Sequence, residues 1–527
     1  MWYWTKASFL GDMIHYVDVA RSLGSGKVLE AIGPLAPPIY PLLIQTGYMI
    51  VQDYDIAARL ISVVFGGMLI YPVFRMAHMI YGRQVAILAG CLVIAAGELV
   101  TYSLMGYAES TYLFLITMAV YQGVKAIRGR SNTDLFLSGL FFGLAFLTKG
   151  QAIVFFAITV FWMAGVLLIE ERKVGGRVIQ CIFFLLIGYI IIISPYLFLL
   201  HEKTGQWTLN PKKEVLESAT FQYNPGETLV AMYSLQRDGS DHYYTIADVV
   251  YAGKEVAAGS VNDKSARPES AVPIMEYLQQ LVIRLVKGFP VVAYRLFPPL
   301  ILFFLLGLIK RGWNLKLEGY ILAIMGINIL AASMYTWNPR YLSTLMPLLI
   351  LVGAYGCVRG GTHMGSLTSK MMFPDIGGWF GKEGKRWTII LIVVLLLSGL
   401  VQLLLKIPDD SYIARIRHQK QIAEKLKEEY GSNLRIMGWG IGRSAIPYFM
   451  GVKQSQVRTI PMNSLDMVLQ YAKQEGVGLL VFDTGEISPG RFPGIIELLK
   501  NRGKWPGLDL IMMSARGRHA IFVYKVI

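Results

Sequence analysis

The sequence predicts a polytopic α-helical membrane protein that ends in a separate soluble α/β domain. Of the 527 residues, 54% are hydrophobic and only 16% are charged, whereas about 25% of the residues in a soluble domain are charged. Apolar runs of about 20 residues, the length that crosses a bilayer as a helix, recur between residues 55 and 406. After residue 406 charged residues become frequent, and short apolar runs alternate with amphipathic stretches.

The first segment, 1–54, is expected to be a loop on the outer face that contains amphipathic helices. Residues 12–24 have the pattern of a short helix that carries Asp12, His15 and Asp18. Prolines between residues 33 and 41 remove backbone donors and restrict φ, so we expect no helix there. Residues 42–51 are apolar but too short to cross a membrane alone.

The transmembrane core, 55–406, is expected to contain about ten spans, each long enough to cross a bilayer. They lie near 55–80, 84–101, 110–127, 133–148, 151–169, 178–200, 289–309, 318–336, 340–358 and 387–406. Lys and Arg gather in alternate loops, which identifies those loops as cytoplasmic. The other loops therefore face outward, including the polar segment 201–288, which we expect to be a partly ordered loop over the membrane face.

The last segment, 407–527, is expected to be a soluble α/β domain on the same outer face. A charged helix near 411–430 precedes strand-like runs at 434–439, 478–482, 508–513 and 520–526, with helices near 464–475 and 493–501. This alternation is typical of a small α/β sandwich. Glycines 438, 440 and 442 lack the spacing of a dinucleotide-binding loop, so we interpret them as turn residues.

The net charge of +15 does not indicate nucleic-acid binding, because the basic residues lie in short loops between apolar runs. The three cysteines fall in or beside those runs and offer no disulfide framework. We therefore expect a protein of the cytoplasmic membrane, with membrane lipids around it and no nucleic-acid partner.

Few ionisable residues lie in the short outer loops, and such residues at a membrane surface are often functional. They are Glu109, Lys149 and Arg340, joined by the two acids and the histidine of the N-terminal segment. Acids suit deprotonation of an acceptor or a divalent cation. Lys and Arg suit a phosphate. Together they favour a site for a lipid phosphate and a nucleophile.

Each of these residues also has a structural interpretation. Asp12 could cap its helix, Asp18 could face solvent, and His15 could be an ordinary interfacial residue. Glu109 could be a solvated loop acid, while Lys149 and Arg340 could extend toward lipid headgroups. Glu98, within a predicted span, is a weaker candidate for function.

Several short motifs occur in a characteristic order. They are Asp12-x-x-x-Tyr16-x-x-x-Ala20, Pro37-Pro38-x-Tyr40-Pro41, Ala57-Ala58-Arg59-Leu60, Tyr107-Ala-Glu109-Ser, Thr148-Lys149-Gly150 after an apolar helix, and Arg340-Tyr341-Leu before Pro347. Over residues 11–358 this pattern resembles the GT-C superfamily of membrane glycosyltransferases. The most similar branch contains protein O-mannosyltransferases and the lipid A aminoarabinose transferase.

The resemblance implies a polyprenyl-phosphate-linked sugar as donor, inverting transfer to a glycan, lipid or protein acceptor, and Asp12 as the catalytic aspartate. Family members have a membrane helix before this aspartate, so its absence predicts a truncated start. Protein mannosyltransferases have adjacent Asp-Glu, whereas Met13 follows Asp12 here. Protein O-mannosylation is therefore disfavoured, and the acceptor stays open.

The remaining roles follow from the same resemblance and from residue chemistry. Arg340, Lys149 and Tyr341 are expected to bind the lipid phosphate, and Glu109 or Asp18 is expected to be a second acid or to hold a metal. The residues expected to shape the acceptor side of the loop are His15, Tyr16, Pro38, Tyr40 and Arg59. The reaction requires no cofactor, although the acids would accept Mg²⁺ or Mn²⁺.

Two other classes of function are compatible with the composition. A transporter or lipid flippase would place ionisable groups near the midplane and contain paired broken helices. Glu98 is the main such group, and no internal repeat is apparent in the sequence. A non-catalytic scaffold would use its soluble domain to recruit partners. Convergence of the outer-loop charges on one site would favour an enzyme.

Overall fold

The computed structural model describes most of the helical core and of the C-terminal domain. The described residues are 12–26, 28, 37–171, 175–205, 207, 209, 235–237, 243–245, 282–283, 286, 298–309, 313–335, 339–371, 383–405, 410–438, 445–484, 492–501, 504–516 and 519–527. The side chains of Asp12 and Tyr341 lie outside this description.

Helices make up the described chain before residue 406, apart from a short hairpin. In order they are α1 (Asp12–Gly24), α2 (Ile39–Val51), α3 (Tyr54–Met68), α4 (Ile70–Tyr81), α5 (Arg83–Ala95), α6 (Gly97–Leu104), α7 (Ala108–Gly129), α8 (Asn132–Phe146), α9 (Ala152–Glu171), α10 (Gly176–Thr204), α11 (Pro298–Leu308), α12 (Leu317–Tyr335), α13 (Pro339–Leu342), α14 (Met346–Met371) and α15 (Glu383–Leu405). A 3₁₀ turn, Ser343–Leu345, joins α13 to α14.

Helical segments lie at each of the predicted spans, but fewer of them meet the requirements for crossing a bilayer. Among the described residues, four helical stretches are long and apolar enough: Tyr54–Tyr81, Ala152–Glu170, Gly176–Lys203 and Ser343–Gly360. The pair α5 and α6 is a fifth if it counts as one span, although it bends by 52°. The other helices of the described chain are shorter or more polar.

The prediction that 33–41 contains no helix is wrong for residues 39–41. Helix α2 begins at Ile39 and includes Pro41 in its first turn. The first backbone N–H groups of a helix have no partner within it, so a proline at this position removes no hydrogen bond. The amide of Ile39 instead donates to the carbonyl of Leu147 at 3.0 Å, which joins the start of α2 to the end of α8.

A close helix crossing in the core joins α8 to α10. Gly139 of α8 lies against the backbone of Leu185, and Gly188 of α10 lies against the backbone of Phe136. A side chain at either glycine would overlap a carbonyl oxygen of the other helix. Small residues of this kind let membrane helices approach and gain van der Waals contact.

The C-terminal domain is a mixed sheet covered by helices, as the alternating pattern predicts. Its helices are α16 (Asp410–Tyr430), α17 (Ala445–Met450), α18 (Leu465–Gln474) and α19 (Pro493–Lys500), and its strands are β3 (Ile436–Gly438), β4 (Val457–Thr459), β5 (Leu479–Asp483), β6 (Leu508–Arg516) and β7 (His519–Val526). The strand order is β4-β3-β5-β7-β6. Strands β4, β3 and β5 are parallel, whereas β7 is antiparallel to both β5 and β6. Gly438 ends β3, whereas residues 439–444, which include Gly440 and Gly442, lie outside the described residues.

A hairpin from segment 201–288 packs on this domain. Strands β1 (Leu235–Arg237) and β2 (Tyr243–Thr245) pair in antiparallel register. The Tyr243 backbone exchanges two hydrogen bonds with the side chain of Gln474, at 2.6 and 2.8 Å. The Leu235 amide donates to Asn463 at 2.8 Å. These two strands of the loop are therefore held by the soluble domain.

The soluble domain also contacts the N-terminal segment through Tyr448 of α17. The Tyr448 ring is buried in one apolar cluster with α1, α2 and α3. Arg21 of α1 lies 5.4 Å from its ring centroid and 5.2 Å from that of Tyr54. Burial, and to a smaller extent the carboxylate of Asp55, raises the pKa of the Tyr448 hydroxyl above its ordinary value. A neutral aromatic ring therefore joins the two parts of the chain.

We expect Gly188→Ala to lower the stability of the purified protein by about 1–3 kcal/mol, because the methyl group overpacks the crossing of α8 and α10. Gly165→Ala is the matched control, since the space beside Gly165 in α9 is open. Thermal unfolding followed by tryptophan fluorescence measures both. Equal melting temperatures for the two variants would contradict the close crossing.

We expect Tyr448→Ala to speed backbone hydrogen exchange in α1, because truncating a buried aromatic residue costs about 3–5 kcal/mol of local packing. Tyr448→Phe keeps the ring that makes the contacts and should exchange like the wild type. Exchange of α1 that is the same in all three proteins would show that the soluble domain does not hold this helix.

Candidate active site

Three charged side chains from distant parts of the chain meet at one carboxylate oxygen. The Lys149 ammonium donates to Oε1 of Glu109 at 2.7 Å. The Nε of Arg340 donates to the same oxygen at 2.7 Å, and its Nη2 also contacts it. We call Glu109, Lys149 and Arg340 the charged triad. All three were among the outer-loop charges that the sequence singles out.

Each member of the triad lies at the end of a helix. Glu109 is in the first turn of α7, where the partial positive charge of the helix dipole favours a carboxylate. Lys149 follows α8, and its amide donates to the carbonyl of Ala145 at 2.8 Å, which continues the helix by one turn. Arg340 lies in the short helix α13, directly before the 3₁₀ turn and α14. Their charged ends therefore meet where three helices begin or end.

Burial within the triad is unequal. The side chain of Glu109 is 1% exposed, whereas those of Lys149 and Arg340 are 15% and 30% exposed. The carboxylate therefore lies beneath the two cations, and the cations retain access to solvent. Within the described chain, the second oxygen of Glu109, Oε2, has no hydrogen-bond partner. Both cations thus donate to Oε1, and Oε2 remains a buried acceptor.

Two tyrosines of the same helix end flank the cations. The Arg340 guanidinium lies 4.8 Å from the ring centroid of Tyr107, and the Lys149 ammonium lies 5.9 Å from that of Tyr112. Cation–π contacts over an aromatic face stabilise such groups when water is partly excluded. Sequence reasoning assigned no role to either tyrosine, although Tyr107 belongs to the motif that contains Glu109.

Helix α1 brings the backbone of Asp12 toward the loop before the triad. Asp12 is the first residue of α1, and the next residue, Met13, is fully buried. Gly106 has a φ of +67°, and a side chain on it would approach the Met13 sulfur to 2.9 Å. Gly106 is three residues before Glu109, so the first turn of α1 packs on the segment that leads to the triad.

A second connection runs from α2 to the same segment. The buried Tyr40 hydroxyl donates to the carbonyl of Ala58 at 3.1 Å and lies 2.9 Å from the Ser62 hydroxyl. Ser62 in turn donates to the carbonyl of Tyr107 at 2.9 Å. Tyr16 of α1 packs edge-on against Tyr40, with ring centroids 5.2 Å apart. The sequence suggested Tyr16 and Tyr40 as loop-shaping residues, and both link the N-terminal segment to α3 and α7.

The other predicted site residues take more peripheral positions. His15 and Asp18 are half-buried on α1. Pro38 directly precedes α2. Arg59 pairs with Asp55 one turn before it on α3, at 3.1 Å. Tyr341 lies in α13 next to Arg340. Glu98 is buried and accepts a hydrogen bond from Tyr102 at 2.5 Å.

The described side chains include no group of three His, Cys, Asp or Glu residues arranged to hold a metal ion. A divalent cation at Glu109 would compete with two cationic groups for Oε1, and those cations would repel it. The residues at the triad therefore fit an anion above them and do not fit a metal.

Comparison with known proteins shows which family model this chain matches. Residues 36–198 match the family model of dolichyl-phosphate-mannose-protein mannosyltransferase. A search of curated protein sequences gives no match.

The similarity to solved structures extends over almost the whole chain. The apo structure of ArnT from Cupriavidus metallidurans has a TM-score of 0.57 at 12% identity and covers 99% of this chain and 95% of that one. The structure of the same protein bound to undecaprenyl phosphate has a TM-score of 0.56. The oligosaccharyltransferase from Archaeoglobus fulgidus, in complex with Zn and sulfate, has a TM-score of 0.56 at 11% identity and covers 90% of this chain and 64% of that one.

Identities this low compare folds rather than sites, and the fold agrees with a multi-pass membrane protein that carries several apolar helices. This chain therefore has the fold of the GT-C superfamily of membrane glycosyltransferases, and its residues 36–198 match the model of one family, dolichyl-phosphate-mannose-protein mannosyltransferase.

Proposed function

We propose that this chain is an inverting glycosyltransferase of the cytoplasmic membrane. It moves a hexose or pentose from a polyprenyl-phosphate donor to a hydroxyl or amine of an acceptor on the outer face. The observation that carries the proposal is the charged triad, in which two partly exposed cations converge above a buried carboxylate. Its support from comparison is a neighbour of the same fold that was solved with undecaprenyl phosphate.

The two cations suit a phosphate group. Arg can bind a phosphate through two parallel N–H groups, and Lys supplies a compact charge with three donors. Their positions at helix ends beside tyrosine rings hold them in place before the ligand arrives. Preorganised charges of this kind stabilise the negative charge that develops on a leaving phosphate.

In the proposed reaction, Asp12 accepts the proton of the acceptor hydroxyl. The acceptor oxygen attacks the anomeric carbon from the face opposite the phosphate, and the bond between that carbon and the phosphate oxygen breaks. The phosphate leaves with the electron pair, and Lys149 and Arg340 neutralise its charge. Helix α1 supports this role for Asp12, since its first turn packs on Gly106, three residues before Glu109. Asp12 takes the proton and the two cations balance the charge of the leaving phosphate, so the scheme contains no metal.

An outer-face site is supported by the distribution of basic residues, which gather in the alternate loops. Lys125 and Arg128 lie near the C-terminal end of α7, whereas Glu109 lies at its N-terminal end. A 22-residue helix is about 33 Å long, close to the thickness of a bilayer. The triad and the basic loop are thus at opposite ends of a helix of spanning length.

We expect Asp12→Asn to lower kcat by about a hundredfold or more, because removing a general base typically costs a factor of that size. The assay follows release of undecaprenyl phosphate from a panel of undecaprenyl-phosphate hexoses and pentoses, with cell-envelope extract as acceptor. Asp134→Asn is the control, since Asp134 pairs with Lys125 near the other end of α7. Turnover of Asp12→Asn at the wild-type rate would contradict Asp12 as the base of the proposed reaction.

We expect Arg340→Ala to weaken the binding of undecaprenyl phosphate about tenfold to a hundredfold, since hydrogen bonds to charged groups contribute about 1.5–3 kcal/mol. Arg340→Lys should bind the lipid with an affinity between those of the wild type and Arg340→Ala, because it keeps the charge and loses the bidentate geometry. Arg128→Ala is the matched control, as that guanidinium donates to the carbonyl of Met79. Titration of the purified protein with the lipid measures all four, and unchanged affinity in Arg340→Ala would contradict a phosphate site here.

A further inference from the structure

The charged triad has a property that the proposed reaction does not use. Two cations donate to one buried carboxylate, so the three side chains together carry one positive charge rather than two. Removing the carboxylate would raise the summed charge of the three positions from one to two at the place where the phosphate binds. The acid therefore sets how strongly the site attracts anions as well as where the cations lie.

The substrate and product of the proposed transfer differ in charge at this position. The donor is a phosphodiester and carries one negative charge. The leaving lipid phosphate is a monoester, and it becomes a dianion above its second pKa of about 6. A site with a large positive charge would consequently bind the product much more tightly than the donor, and product release limits the rate of many enzymes.

We infer that Glu109 limits the affinity of the site for the dianionic product, so that polyprenyl phosphate leaves and a new donor enters. This inference rests on the proposed function, because it takes Lys149 and Arg340 to be the phosphate-binding cations. Glu109 is then a positioning residue with a second role, that of a fixed opposing charge. It needs no direct contact with the reacting atoms.

The geometry favours a strong effect of this kind. Glu109 is 1% exposed, so neither water nor salt screens its charge well. Its Oε1 lies 2.7 Å from both Lys149 Nζ and Arg340 Nε, so any phosphate on these cations lies within a few ångströms of the carboxylate. Repulsion from the carboxylate is proportional to the charge of the ligand and therefore doubles for a dianion. At a separation of about 6 Å and an effective dielectric constant of about 40, each ligand charge changes affinity about tenfold.

A purely structural role for Glu109 predicts the opposite result. If the carboxylate only holds the two cations in place, its loss would let them move and would weaken the binding of every phosphate ligand. The charge role predicts tighter binding, with a larger gain for the dianion. The sign and the ligand dependence of the change therefore separate the two roles.

The test measures binding of two lipid probes to the purified full-length protein. The probes are undecaprenyl phosphate, a monoester, and its methyl ester, a phosphodiester with the charge of the donor. At pH 8 we expect Glu109→Gln to tighten binding of the diester about tenfold and of the monoester about a hundredfold, so that the ratio of their dissociation constants shifts about tenfold. At pH 5 the monoester carries one charge and the shift in ratio should disappear.

Two further variants control for changes in position. Glu109→Asp keeps the charge and should keep the wild-type ratio of dissociation constants. Glu109→Gln combined with Lys149→Gln leaves one positive charge, as in the wild type, and should also restore that ratio. If Glu109→Gln alone does not fold, Lys149→Gln is compared with the double variant, since these two proteins differ only in the Glu109 carboxylate. The ratio of dissociation constants is expected to shift by the same factor of about ten between them.

Weaker binding of both probes in Glu109→Gln, or an equal change for the two, would overturn the inference and leave the proposed function standing. Unchanged binding of both probes in Arg340→Ala would overturn the phosphate site itself and the inference with it. Asp134→Asn again serves as the control for loss of a carboxylate from an ion pair, since Asp134 accepts from Lys125 at 2.6 Å near the other end of α7.

Discussion

The arrangement of this protein depends on the ion pairs between one buried carboxylate and two cations. Glu109 is held at the start of α7, and it binds Lys149 after α8 and Arg340 before α14. Burying a carboxylate is costly unless it is paired, and breaking such a pair typically costs about 3–5 kcal/mol. The three helix ends therefore cannot separate without exposing or stranding a charge. This constraint gathers residues from very different parts of the sequence into one site.

The N-terminal segment is placed on this site by packing from two directions. On the side of the helical core, Tyr40 and Ser62 connect α2 and α3 to the backbone of Tyr107, two residues before Glu109. From the other side, Tyr448 of the soluble domain enters the same apolar cluster as α1. The soluble domain also holds a hairpin of the long loop 201–288. The helix that begins at Asp12 is thus enclosed between the helical core and the C-terminal domain.

Fold similarity alone would not assign a reaction, since one fold supports many activities. At 11–12% identity, the solved neighbours establish a shared architecture. The case for glycosyl transfer rests on the charged triad and on the packing of α1 beside it. Two partly exposed cations that converge above a buried acid suit a phosphate leaving group, which favours an enzyme over a scaffold protein.

Much of the fold could be predicted from the sequence because the signals are local. The lengths of the apolar runs located the helices from residue 55 to residue 405, and alternation of apolar runs located most strands of the last domain. The short strand β4 was missed, since three residues carry no readable pattern. The proline run was read too strictly, because the first turn of α2 has no hydrogen bond for Pro41 to break.

The sequence by itself singled out the three charges that meet, since isolated ionisable residues at helix ends stand out against an apolar background. Only the tertiary structure decided how they combine. Glu109 was expected to be a second acid or a metal ligand, and its contacts are with Lys149 and Arg340. Nor does any local pattern connect Tyr448 to α1 or the loop hairpin to α18. Such contacts join residues far apart in the chain, and they are set by the shapes of packed surfaces rather than by spacing along the sequence.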